Sequence, residues 1–308
     1  MIAFLFPGQG SQSVGMGRAL AEAFPVARET FAEADEALGE DLSGLCFEGP
    51  ADRLVLTENT QPAILAVSVA CLRVLASMGL KPDAVAGHSL GEYSAHVAAG
   101  TLSFADALRI VRRRGRYMQE AVPVGEGAMA AILGLDAAKV AQACEEAAQG
   151  QVVSPANLNA PGQVVIAGAR DAVARASDAA KRLGARRAVS LAVSAPFHCA
   201  LMKPAEDRLA PDLRAVPVAN PAVPVVANVD AEVKRTGAEA VDALVRQVSS
   251  PVRWEDVMRR LASEGVRKYV EVGPGAVLTG LGRKILPDAA FTNIEDPSGI
   301  EAVAALFA

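Results

Sequence analysis

Ser89 stands in Gly87-His88-Ser89-Leu90-Gly91, the Gly-x-Ser-x-Gly spacing in which small flanking residues let a serine occupy a sharp turn with its hydroxyl exposed. An apolar, strand-like run, Ala84-Val85-Ala86, leads into it. Helix-forming Glu92 to Ala99, closed by Gly100, leads out. The spacing alone is a weak signal, because small residues crowd any tight strand-to-helix turn. The strand and helix on either side make Ser89 a nucleophile candidate. A helix that begins behind Ser89 also points backbone N–H groups at whatever the serine attacks, so attack and anion stabilisation can come from one turn.

A serine needs a base at neutral pH, and the chain has three histidines. His96 lies two helical turns beyond Ser89, roughly 10 Å along the axis and out of reach. His88 precedes the serine and is expected to point to the other side of the strand. By elimination the base is His198, in Pro196-Phe197-His198-Cys199. No Asp or Glu between Ser89 and His198 stands at an obvious strand end. A backbone carbonyl or an amide is therefore expected to orient the imidazole in place of a carboxylate.

Two further stretches bear on the chemistry. The loop Pro7-Gly8-Gln9-Gly10-Ser11-Gln12 follows a first strand, Ile2 to Phe6. It fits neither a dinucleotide fingerprint nor a phosphate loop. It is either a plain tight turn or a second source of backbone donors near Ser89. Farther on, a helix that Ser103 can cap runs to about Ala121. Arg109, Arg112, Arg113 and Arg116 form an exposed basic stripe on it, whereas Arg114 has Ile110, Val111, Tyr117 and Met118 three and four residues away and so faces inward. A buried cation must meet an anion. Two candidates stand level: a structural Asp or Glu, and a substrate carboxylate gripped bidentately.

These residues need a scaffold, and the rest of the chain describes one. The 308 residues, 51% hydrophobic and 21% charged, suffice for a large core. The apolar N-terminal run lacks basic residues and stops at Pro7, which suggests a buried strand and no signal peptide. Thr57 to Met78 is apolar but broken by Gln61-Pro62 and Arg73, so no membrane span is expected. Cys46, Cys71, Cys144 and Cys199 are too scattered for a metal site or a disulfide framework, and read as packing residues in a reducing cytoplasm. A net charge of −5 gives no reason to expect nucleic acid. Helices are expected from about Met16, over Val26 to Leu38 and over Thr57 to Met78. Between Gly127 and Val193 the order is β-α-β-β-α-β: strands Met129 to Leu133, Val152 to Asn157, Gln163 to Ala167 and Arg186 to Val193, with helices Asp136 to Ala148 and Asp171 to Leu183. A strand at Val225 to Ala227, two helices, a strand at Lys268 to Val272 and a last helix follow. The outer alternation implies a mostly parallel sheet covered on both faces.

Seven stretches together carry a family resemblance: Phe6-Pro7-Gly8-Gln9-Gly10-Ser11-Gln12, Thr60-Gln61-Pro62-Ala63, Gly87-His88-Ser89-Leu90-Gly91-Glu92, Arg114-Gly115, Phe197-His198, Gln247 before Pro251-Val252-Arg253-Trp254, and Glu271-Val272-Gly273-Pro274-Gly275. Almost end to end, the chain resembles the malonyl-CoA:acyl carrier protein transacylases of fatty acid synthesis. The resemblance implies an α/β protein with a hydrolase-like large domain, residues 1–126 and 196–308, and an inserted ferredoxin-like subdomain, residues 127–195. It implies Ser89 as nucleophile, His198 as base and Gln247 as the residue orienting the imidazole. It places the oxyanion hole at the backbone N–H groups of Gln9 and Leu90, and Arg114 on the malonyl carboxylate. Gln9, His88 and Phe197 are expected to line the substrate site, and Phe197 leans toward malonyl over methylmalonyl. The implied partner is an acidic acyl carrier protein bearing phosphopantetheine, met by basic residues among Arg112, Arg113, Arg116, Lys181, Arg182, Arg186, Arg187, Arg283 and Lys284. A monomeric cytoplasmic enzyme with no metal or redox cofactor, no nucleic acid and no membrane is expected. The alternatives are a serine thioesterase or esterase, a polyketide-pathway acyltransferase, and a non-catalytic scaffold that binds carrier protein.

Overall fold

A computed structural model describes residues 1–193 and 195–307. Ser194 and Ala308, which fall in the expected ranges of the small and large domains, lie outside the described residues.

The strands are β1 (Ile2–Phe6), β2 (Ala84–Gly87), β3 (Gly127–Leu133), β4 (Val153–Ala160), β5 (Gln163–Ala169), β6 (Arg187–Ser190), β7 (Val225–Val226), β8 (Val233–Lys234), β9 (Lys268–Val272) and β10 (Ala290–Ile294). They form two sheets. The first has the order β10-β9-β1-β2-β7-β8, parallel throughout except for β8, which pairs antiparallel with β7. The second, order β4-β5-β3-β6, is antiparallel.

The first sheet is apolar on both faces because helices cover both. All five residues of β1 are buried, as a central parallel strand requires. One face packs against Thr57–Ser77, Pro25–Leu38 and Phe104–Glu120; the other packs against Trp254–Ser263 and Val277–Ile285, around Trp254 and Tyr269. The Thr57–Ser77 helix is long and apolar enough to cross a membrane, yet 78% of its apolar window is buried inside the fold. Its apolarity therefore reflects a core position. All four cysteines are buried and unpaired, and burial pushes the Cys199 thiol up to about 11.

In this topology β9, β1 and β2 are neighbours, so the loops at their carboxyl ends emerge side by side: Gly273–Gly275, Gly8–Gly10 and the Ser89 turn. The register Phe6↔Gly87 sets the last two level. Carboxyl ends of parallel strands are where open α/β sheets hold ligands. The antiparallel sheet is locked to this end, because Val252 N–H donates to the Ala156 carbonyl and Leu158 N–H to the Val252 carbonyl, both at 2.9 Å.

Several expectations need correction. The strand expected over Arg186 to Val193 is shorter, Arg187–Ser190; residues 191–193 lie beyond it and line a cavity, with Leu191 N–H still donating to the Met129 carbonyl of β3 at 3.0 Å. The arginine stripe is not a bare basic face. Arg109, Arg112, Arg113 and Arg116 pair with Asp106, Glu40, Asp212 and Glu58, and Arg112 is half-buried.

Candidate active site

Ser89 holds a left-handed backbone, φ 53°, and so does His198, φ 60°. Non-glycine residues in this region are strained, and such strain concentrates at functional sites. The flanking glycines have a steric reason. A Cβ on Gly87 would overlap the Gly91 carbonyl, and one on Gly91 would overlap the Phe6 carbonyl. The turn can therefore close over β1 only with both glycines in place. Gly91–Ala98 starts directly behind, with Leu90 at its N-cap.

The cavity at this end holds about 650 Å³, lined among others by Gln9, His88, Ser89, Arg114, Phe197 and His198. Within it, Ser89 Oγ lies 2.7 Å from His198 Nε2. The other ring nitrogen, Nδ1, is 3.0 Å from the Gln247 backbone carbonyl. A carbonyl accepts only, so this contact fixes the N–H on Nδ1 and leaves Nε2 with its lone pair toward the serine. Burial, reinforced by the Arg114 charge, lowers the His198 pKa to about 3. At neutral pH the imidazole is uncharged, as a proton acceptor must be.

Arg114 is 1% exposed. Among the described residues its acceptors are all neutral: Gln61 Oε1 and Gln247 Oε1, each at 2.8 Å, and Ser89 Oγ at 3.2 Å. Its guanidinium also lies 5.4 Å from the Tyr93 ring centroid. Among the described residues no carboxylate hydrogen-bonds or ion-pairs with it, so the structural partner considered above is not found there. A buried guanidinium held by amide oxygens stays oriented without being neutralised, which leaves it able to grip an anion entering the cavity.

The backbone amides of Gln9 and Leu90 donate to no acceptor among the described residues; Gln9 lines the cavity, and Leu90 directly follows Ser89, which does. The Gln9 side chain donates to Thr57 Oγ1 at 3.1 Å. The His88 ring departs from the expectation that it would turn away from the site. It forms part of the cavity wall, with Nε2 2.8 Å from Asn159 Oδ1 and the ring 5.5 Å from that of Trp254. His96 is fully buried, as its helix position requires, and takes no part in the cavity.

Three residues around the site escaped the sequence reading of roles. Asn228 accepts the Ser89 N–H at 2.6 Å and donates to the Gly87 carbonyl at 2.7 Å, clamping the turn from β7. Gln61 is the first acceptor of Arg114. Glu92, fully buried, accepts from Gln247 Nε2 at 2.7 Å and from Asn228 N–H at 3.0 Å, and burial raises its pKa to about 7. The signal for Glu92 was present: an acid among Tyr93, Ser94 and Ala95 on the first turn of a helix expected to pack. Asn228 becomes meaningful only when β7 is known to pair with β2.

The acyl transferase domain family matches residues 3–295. The malonyl CoA-acyl carrier protein transacylase of Escherichia coli K12 is 55% identical over 301 residues, 97% of either chain. That of Bacillus subtilis is 51% identical over 97% of this chain and 95% of its own. Among solved structures, an acyl carrier protein S-malonyltransferase from Vibrio cholerae superposes with a TM-score of 0.96 at 51% identity, covering 98% of this chain and 99% of that one. A malonyl-transacylase in complex with its type II PKS acyl-carrier protein superposes at 0.97, with 50% identity and 99% of both chains covered. A match of this extent, on a chain whose serine, histidine and arginine converge in one cavity, means that the protein belongs to the acyl transferase domain family.

Proposed function

We propose that this protein transfers the malonyl group from malonyl-CoA to the phosphopantetheine thiol of an acyl carrier protein, by ping-pong exchange through an acyl-Ser89 intermediate. One observation carries the reading: Ser89 Oγ is shared between a neutral imidazole, His198 Nε2 at 2.7 Å, and a buried guanidinium, Arg114 Nη2 at 3.2 Å. A hydrolase of neutral esters has no use for a desolvated cation beside its serine.

His198 Nε2 takes the Ser89 proton as Oγ attacks the thioester carbonyl. The negative charge that develops on the carbonyl oxygen meets the Gln9 and Leu90 N–H groups. The C–S bond breaks, CoA leaves with the proton carried by His198, and malonyl remains as an ester on Ser89. The second half runs in reverse: His198 takes the proton of the carrier thiol, its sulfur attacks the ester, and Ser89 recovers its proton. The exchange is redox-neutral and each proton passes through one imidazole, so the residues present account for it with no metal or redox cofactor. Arg114 holds the malonyl carboxylate, which discriminates against acetyl because an acetyl group leaves the guanidinium buried and unpaired. Phe197 and His88 form walls of the acyl site.

The same reading divides the chain into a hydrolase-like unit, residues 1–126 and 196–308, and an inserted ferredoxin-like unit, residues 127–195. The order β4-β5-β3-β6, with helices after β3 and β5, supports the second. The enzyme acts in the cytoplasm as a monomer.

Two-substrate kinetics with malonyl-CoA and a phosphopantetheine-bearing carrier protein test the scheme. Parallel double-reciprocal lines are expected. Intersecting lines mean direct transfer with no acyl-enzyme and overturn it.

A further inference from the structure

Glu92 sits on the first turn of the helix behind Ser89, fully buried, with Oε1 lacking a partner among the described residues. Everything it does passes through Oε2, which accepts from Gln247 Nε2 and from the Asn228 backbone N–H. Gln247 Nε2 also donates to the Ser89 carbonyl at 2.9 Å. Both amide hydrogens are thus committed, and Oε1 is turned toward Arg114 Nη2. Were the amide reversed, its oxygen would meet two acceptors and its NH₂ would meet the guanidinium, donor against donor.

On the reading that Arg114 grips the malonyl carboxylate, we propose that Glu92 is the positioning residue for acyl selection: its Oε2 fixes the orientation of the Gln247 amide, which holds Arg114 aimed into the acyl site. The chain of contacts is Glu92 Oε2, Gln247 Nε2, Gln247 Oε1 and Arg114 Nη2. Oε2 accepts whether the carboxyl is ionised or carries a proton on Oε1. The position of the acceptor therefore matters, and the charge does not.

Two near-isosteric variants separate these roles. Glu92→Gln can place an amide oxygen where Oε2 was; Glu92→Asp keeps the carboxylate but withdraws it by about 1.5 Å. The readouts are KM and kcat for malonyl transfer, and the rate at which an uncharged alkyl fluorophosphonate labels Ser89. Labelling needs the serine and histidine but no carboxylate site, and its stoichiometry counts the folded fraction. Glu92→Asp is expected to raise KM for malonyl-CoA about tenfold or more, the scale of a misplacement of an ångström or so, with labelling within about threefold of the parent. Glu92→Gln is expected to stay within about threefold in both.

A normal KM in Glu92→Asp, a loss confined to Glu92→Gln, or a parallel fall in transfer and labelling each overturns the proposal. If Glu92→Asp does not fold, a tenfold rise of KM in Glu92→Gln does so alone. Arg114→Ala is run alongside. If it leaves malonyl transfer relative to labelling unchanged, the reading of Arg114 has failed; if it lowers that ratio while Glu92→Asp does not, only the role of Glu92 has.

Discussion

Arg114 Nη2 donates to the hydroxyl oxygen of Ser89 across 3.2 Å, from a residue 25 positions away that is 1% exposed to solvent. In the resting site the guanidinium faces the Ser89 hydroxyl and holds down the basicity of His198. A carboxylate bound by Arg114 offsets that charge. On the proposed role of Arg114, His198 then becomes a stronger base when a malonyl group is in place, which would couple acyl recognition to the chemical step.

Arg114→Ala is expected to cut kcat/KM for malonyl-CoA by about 10²–10⁴-fold, the range for removing a charged partner from a buried site, while acetyl transfer changes little. Equal losses for both acyl groups contradict the assignment of Arg114 to the carboxylate.

The same substitution shifts the acid limb of Ser89 reactivity. The His198 pKa of about 3 arises from burial first and the Arg114 charge second. Removing the charge raises the pKa, so labelling by an uncharged fluorophosphonate is lost at higher pH in Arg114→Ala than in the parent. An unmoved limb means that the guanidinium does not act on the imidazole.

His96 is fully buried, and neither ring nitrogen has a partner among the described residues; burial lowers its pKa to about 4. Its unfolded value is near 6.5, so as pH falls through that value the unfolded chain takes up a proton that the native state refuses until about 4. Stability is lost over that window, by up to about 3 kcal/mol. Glu92 acts in the opposite sense, since its raised carboxyl gains a proton in the native state as pH falls from about 7. The diagnostic quantity is therefore the urea-denaturation difference between the parent and His96→Leu, which shifts in favour of the variant between pH 7.5 and 4.5. A difference independent of pH contradicts a neutral buried His96.

Gly91→Ala drives a Cβ into the Phe6 carbonyl, whereas Gly280→Ala, within a helix, meets nothing within 4 Å. Urea denaturation is expected to show a loss of about 3 kcal/mol for the first and a gain of up to about 1 kcal/mol for the second. A mild Gly91→Ala contradicts the steric account of the Ser89 turn.

Much of this arrangement was legible in the sequence where local chemistry decides it. β1 stops at Pro7 and β9 at Gly273, and Ser103 and Asp136 cap their helices through their own side chains, accepting from Asp106 and Lys139 N–H. Ser89 stood out by its turn, His198 by elimination, and Arg114 by its place on an apolar helix face. The helix Lys203–Ala215 was not among the expected elements; it carries Pro204 in its opening turn, where a missing N–H costs nothing, and Pro211 in its interior. β8 and β10 are too short or too mixed to show a period. The roles of Asn228 and Glu92 depend on β7 lying beside β2 and on Gln247 reaching the Ser89 turn, contacts between residues more than 130 positions apart that no local pattern encodes.

The most direct test of the central claim is the intact mass of the protein after mixing with malonyl-CoA, before and after adding phosphopantetheine-bearing carrier protein, with free malonate followed in parallel. A malonyl adduct that is absent in Ser89→Ala and discharges onto the carrier thiol is the predicted result. Release of malonate to water with no transfer to the carrier, or an adduct that persists in Ser89→Ala, contradicts the account.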